Sequence, residues 1–187
     1  HRHSCFLYLA SILVDEFAED QNCTEGLMEM LQALIIPTFD LLQSSGLAEY
    51  PDTVDDLFRL CVRFLQRITL RFLQSTALDA IIQCAIMACA LDQRDANTSV
   101  MKFLADFVHI AQSQHRDAQQ YAALVGAKLM QHGEQLLSNL VQSSLFCLHT
   151  YMLQDVATVL YELLKWNRSL VSNWMEGVLR LIPQRNA

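Results

Sequence analysis

Apolar residues recur at i, i+3, i+4 and i+7 along nearly the whole chain, the spacing that gathers them on one face of a helix. The pattern predicts helices over about 4–19, 23–45, 51–68, 76–91, 95–112, 118–148, 151–165 and 168–183. Start and stop signals agree with several of these limits. Pro51 followed by Asp52 suits a first helical turn, where no proline N–H is missed and a carboxylate favours the positive helix end. Asp95 or Asn97 can cap the fifth helix. Gly46 ends the second helix and Pro183 the last. Five glycines and three prolines in 187 residues are too few for the turns of a sandwich or barrel. The expected fold is therefore all-α.

The gaps between helices are short, so successive helices should pack antiparallel. Alternate helices start near 4, 51, 95 and 151, at spacings of roughly 47, 44 and 56 residues, at or above the range of HEAT-type helix pairs. The expected architecture is an α-solenoid of HEAT repeats, about eight antiparallel helices in a superhelix, with 1–187 forming one segment of a longer solenoid. The clearest repeat is 22–68, with further pairs at about 76–112 and 118–165. Pro37, inside the first helix of that repeat, predicts a kink or break, because an internal proline costs about 3 kcal/mol. In this phase the helices at 4–19, 51–68, 95–112 and 151–165 are the inner, concave ones. Stacked repeats bury their faces only against neighbours, so both ends should expose apolar surface.

Composition narrows the class. With 52% hydrophobic and 18% charged residues and a mean hydropathy of +0.20, the chain is not disordered. No apolar run approaches the ~18 residues of a membrane helix; the stretch from Ile81 to Leu91 is broken by Gln83. The net charge of −7 is concentrated: residues 1–60 alone carry a net −9. An acidic chain disfavours nucleic acid as a partner and suits a basic one. Six cysteines show no CxxC and no paired Cys/His spacing, and most lie in apolar helical runs. They read as reduced, intracellular, buried thiols, and the sequons at Asn22, Asn97 and Asn167 as chance matches. The start His1-Arg2-His3, with no initiator methionine and no signal-peptide pattern, reads as a piece of something longer.

Nothing predicts an enzyme. There is no phosphate loop, GxSxG, HExxH or dinucleotide fingerprint, and no cofactor or metal is expected. The histidines form no ligand pairing within a confident helix, and His109 reads as a packed or capping residue. The best constellation is PDTVDDLFRLCVRFLQR. Asp52, Asp55 and Asp56 sit at its head, and Arg59, Arg63 and Arg67 follow at i, i+4 and i+8 on one face. Arginine's planar fork suits phosphate or carboxylate, and a carboxylate pair suits guanidinium groups. Such a face fits a ligand carrying both arginines and phosphates. On the residues alone it reads first as a solvated face with an Asp55–Arg59 pair, while Arg63 and Arg67, lacking acidic residues four positions away on this helix, stay free for a partner. A second cluster, Asp92, Arg94, Asp95 and Asn97, opens the next inner helix and should lie beside Asp55 and Asp56.

The segments HSCFLYLASILVDE, LQALIIPTFDLL, YPDTVDDLFRLCVRFLQR and LDQRDANTSVMKFL resemble the C-terminal half of nuclear import receptors of the importin-β family. The likeness runs in order along the chain and is carried mainly by residues before about 113. It implies a HEAT superhelix that shuttles through nuclear pores between cytoplasm and nucleus. It also implies that the receptor carries serine/arginine-rich splicing factors by their RS domains, often phosphorylated, and releases them to Ran-GTP. Asp55 and Asp56 would contact cargo arginines, Arg59 and Arg63 phosphates, and Asn97 would add a polar contact. The family's arginine-rich helix should lie upstream of His1, and its Ran-binding N-terminal repeats are absent from this chain. Two other readings stay open: a HEAT or armadillo interaction scaffold with no nuclear transport role, and a secreted four-helix bundle, which would need disulfides in loops.

Overall fold

The computed structural model describes residues 2–182. Among these are α1 Arg2–Phe17, α2 Thr24–Ser45, α3 Pro51–Arg67, α4 Thr69–Leu73, α5 Leu78–Ala88, α6 Arg94–Ile110, α7 Ala118–Phe146 and α8 Leu153–Leu181, with 3-10 turns at Leu47–Glu49 and Thr150–Met152. No strand occurs among the described residues. His1 and the stop signal expected at Pro183 lie outside them.

Helices alternate between two layers. In the first, α1, α3, α6 and the leading limb of α8 pack side by side; α2, α5 and α7 lie behind them. Each return passes through the second layer, so first-layer neighbours run parallel. The chain is an all-α helical-repeat solenoid, as its periodicity predicts. α3 and α6 form the centre. Their fully buried Phe58, Phe103 and Phe107, with Phe64 and the α4 ring Phe72, make a continuous aromatic stack with centroids 5.4 to 6.4 Å apart. Each such buried ring stabilises the fold by roughly 1.5–3 kcal/mol over an exposed one.

Several limits are set as the local signals predict. Pro51 occupies the first turn of α3. Gly46, at φ 90°, closes α2 by donating its N–H to Leu42 O at 3.0 Å, a backbone conformation that costs glycine little. Others differ. α2 stays helical through Pro37. There the Thr38 hydroxyl donates to Leu34 O at 2.6 Å and accepts from His3 Nε2 at 2.6 Å, tying the proline turn to α1. α6 is capped by neither Asp95 nor Asn97; the Gln93 side chain accepts from Ala96 N at 2.7 Å. The last two predicted helices are two limbs of α8, meeting at the non-helical Asn167 (φ −154°, ψ 87°). Its Oδ1 accepts from Leu170 N at 3.1 Å and so starts the second limb. That limb turns back onto α7, where Gly133 admits the Trp174 ring: a Cβ on Gly133 would lie 2.6 Å from it.

Of the six cysteines, Cys61, Cys84 and Cys89 are buried and Cys5 and Cys147 exposed; none forms a disulfide. Burial pushes the Cys84 and Cys89 thiols up to about 12, so they are inert packing groups.

Candidate functional site

The exposed face of the first layer carries polar links between neighbouring helices at two levels. Near the helix starts, Ser4 Oγ donates to Asp56 Oδ2, Ser99 Oγ to Asp55 Oδ1, and Thr98 Oγ1 to Asp155 Oδ2 at 3.1 Å. These join α1 to α3, α3 to α6 and α6 to α8. Near the helix ends, Arg63 Nε meets Asp15 Oδ2 at 3.1 Å and Arg67 Nε meets Asp15 Oδ1 at 3.5 Å. Gln66 Nε2 donates to Asp106 Oδ2 at 3.1 Å, and His109 Nδ1 meets Glu162 Oε2 at 3.0 Å.

Asp55 and Asp56 thus stand in the upper row. Asp55 Oδ1 also accepts from Arg59 Nε at 2.9 Å, the expected i,i+4 pair. Partial burial raises the Asp56 carboxyl above its ordinary value, the neighbouring Asp55 charge adds to this, and the Ser4 hydrogen bond opposes it. Arg59 stays exposed, held by Asp55 and within the field of Asp56 and Asp95. Two carboxylates and one guanidinium therefore share one solvent-facing patch at the head of α3, beside the start of α6. It can pair a guanidinium with carboxylate oxygens that the row leaves unbonded, and a phosphate or carboxylate with Arg59.

Three expectations are corrected here. Arg63 and Arg67 are not free: the acidic end of α1, distant in sequence, supplies Asp15 to both and Glu19 to Arg67 at 3.7 Å. Any phosphate on Arg63 must share it with Asp15. Asn97 is not a surface contact. It is 1% exposed, and its Nδ2 donates to Cys89 O at 3.2 Å and Leu91 O at 3.0 Å, clasping the turn between α5 and α6. The remainder of its cluster does lie at the surface, with Arg94 5.9 Å over the Tyr151 ring. His109 is likewise neither packed nor a cap, but an exposed bridge to α8. Sequence reasoning missed Ser4, Ser99 and Asp106, for which only the shared helical phase gave a signal.

A cleft of about 530 Å³ opens at the lower level, lined by Gln66, Arg67, Asp106, His109, Ser113 and Tyr121. It lies two to three turns along α3 and α6 from the Asp55 patch. No group of three or more metal-ligating side chains occurs among the described residues. No described helix is long and apolar enough to cross a membrane.

Comparison with known proteins sets this surface in context. Residues 1–42 match the family described as the Transportin-3/Importin-13 fourth TPR domain. Transportin MOS14 of Arabidopsis thaliana is 26% identical over 185 residues, 98% of this chain. These matches support a likeness to a segment of importin-β family proteins. An uncharacterized protein of Schizosaccharomyces pombe is 26% identical over 113 residues, 59% of the chain. The chain spans about a fifth of the length of the first of these relatives and 12% of the second. The family match covers α1 and most of α2, and the alignment with the transportin runs through both layers.

Proposed function

We propose that the chain is one continuous run of helix pairs within a nuclear import receptor, and that the polar face of its first layer receives cargo. The cargo is the arginine-serine-rich segment of splicing factors. Asp55 and Asp56 take its guanidinium groups and Arg59, with Arg63 shared by Asp15, takes phosphates or carboxylates between them. Asn97 supports the surface from below without touching cargo. Release by Ran-GTP acts through repeats outside this chain, and the receptor shuttles between cytoplasm and nucleus.

The observation that carries the reading is the likeness to a transportin along 98% of the chain. The mixed-charge patch supports it, because a ligand of alternating arginines and phosphoserines needs both signs within reach. The test is fluorescence anisotropy with arginine-serine repeat peptides, phosphorylated and not, across a salt series. Binding should fall with salt and weaken at least tenfold in Asp55→Lys/Asp56→Lys. Because that variant also breaks links to Ser4 and Ser99, Arg59→Glu, at an exposed position, is measured beside it and should remove any preference for the phosphorylated peptide. Absence of binding at low salt, by protein shown helical by circular dichroism, would sink direct cargo binding and leave a scaffold.

A further inference from the structure

The lower level of the first-layer face is charged differently from the rest of the chain. The cleft of about 530 Å³ between the ends of α3 and α6 adjoins a second recess of about 500 Å³ between α6 and α8, and the two share His109, Ile110 and Ser113. Together they form a trough across three helices. Its lining cations are Arg67 on α3 and Lys165 on α8, with the rings of His109 and His115; its one lining carboxylate is Asp106. In a chain of net charge −7, this is a local cationic concavity, the shape that concentrates anions.

The carboxylates beside the trough are already engaged, while its two cations are held loosely. Asp106 Oδ2 takes Lys102 Nζ at 2.9 Å and Gln66 Nε2 at 3.1 Å. Glu162, mostly buried, takes His109 Nδ1 at 3.0 Å and Gln112 Nε2 at 3.2 Å. Lys165 Nζ stands 3.6 Å from Glu162 Oε1, and Arg67 stands 3.5 Å from Asp15 and 3.7 Å from Glu19. These separations exceed the ~2.7–3.2 Å of an N–H···O hydrogen bond. By contrast, Arg59, Lys102 and Lys128 sit 2.7 to 2.9 Å from their carboxylates. Arg67 and Lys165 can therefore turn to an anion without giving up a close hydrogen bond. His109, with Nδ1 engaged, keeps Nε2 for the same ligand, and His115 is steadied by stacking on Tyr121, with centroids 5.7 Å apart.

We propose that this trough is a second ligand-binding site, which takes a phosphoserine, and that it acts with the Asp55–Asp56 patch as a two-point gauge of the bound segment. The arginine half rests on the cargo reading above; the anion half rests on the trough alone. A phosphate suits the lining better than a carboxylate, since it brings up to two charges and three acceptor oxygens to a site with more than one cation. Asp56 and Arg67 stand eleven residues apart on α3, about 16 Å at ~1.5 Å per residue. An extended chain covers ~3.3 Å per residue, so about five residues separate an arginine on the patch from a phosphoserine in the trough.

Two measurements keep the halves apart. N-acetyl-phosphoserine amide, which carries no arginine, is titrated while the His109, His115 and Lys165 side-chain resonances are followed by NMR. It should shift all three with one dissociation constant, and N-acetyl-serine amide should shift none. Arg67→Gln/Lys165→Gln should weaken the phosphoserine amide about tenfold, the range of one charge-assisted hydrogen bond at a surface. Arg116→Gln removes an 87% exposed cation outside the lining and should leave binding unchanged. Peptides with an arginine block and one phosphoserine placed nearer than, at, or beyond about five residues, in either order, are then compared by fluorescence anisotropy. Affinity should peak at that spacing in wild type and lose the peak in Arg67→Gln/Lys165→Gln. Absence of shifts from the phosphoserine amide, or equal weakening by Arg116→Gln, overturns the site. Affinity independent of spacing overturns the gauge. Amide shifts without binding of any arginine peptide would sink the cargo reading, and the gauge with it, while the phosphoserine site stands.

Discussion

Replacing Asn97 with alanine separates a structural role from a binding role in one experiment. Its Nδ2 serves two backbone carbonyls, Cys89 O and Leu91 O, which take no other side-chain donor among the described residues. Removing the amide leaves both short of a donor, at about 1–3 kcal/mol for each buried group left unsatisfied. The loss is reduced because Asn97 Oδ1 is itself buried without a partner, and alanine removes that penalty. The expected destabilisation is therefore about 2–3 kcal/mol. With a urea slope of about 2 kcal/mol/M the midpoint should fall by about 1 M. Asn97→Asp should be worse than alanine, because a carboxylate cannot donate and would face two carbonyl oxygens in a buried site. Below its own midpoint, Asn97→Ala should bind arginine-serine peptides as tightly as wild type. A midpoint shift under ~0.2 M together with lost peptide binding would refute this reasoning and return Asn97 to the surface.

Gly133→Ala should destabilise by about 1–3 kcal/mol, as overpacking does, despite alanine's usual advantage of roughly 1 kcal/mol in a helix, because the new Cβ meets the Trp174 ring. Thermal melts and a shifted tryptophan emission check it, and a stabilised variant would count against the packing. Hydrogen bonds from Lys128 and then His132 hold Asp79 below its ordinary carboxylate value. A carboxylate lowered on folding adds stability above its unfolded value, and that stability is lost as pH falls through the folded one. Asp79→Asn should thus narrow its gap to wild type as pH drops from 6 to 3, and a gap constant with pH would refute the assignment.

The repeat pattern was legible in the sequence because every helix is two-sided and its apolar spacing survives whatever lies opposite. Pro51 and Gly46 were legible for the same local reason. What escaped was decided by residues far along the chain. Nothing near Arg63 announces Asp15, 48 positions earlier. Asn97 followed the pattern of a helix cap, but Gln93 took that role and left the amide to turn inward. Pro37 was expected to break a helix, and Thr38 held it together through contacts with α1 that periodicity does not encode. The two predicted helices at 151–165 and 168–183 were placed well. Their junction at a single residue was not foreseen, since an asparagine can start a helix or sit within one.

The paired links across the first layer have a mechanical consequence. Each neighbouring pair of parallel helices is fastened near both of its ends, with apolar packing between the fastenings. Sliding one helix past the next by a single turn, about 5.4 Å, would break both fastenings at once and misalign the packed rings between them. Tilting the helices apart needs only that hydroxyl and carboxylate groups trade their partners for water. Deformation of this stack is therefore steered into fanning rather than shear, so that it coils or uncoils like a spring while the order of side chains along its face stays fixed.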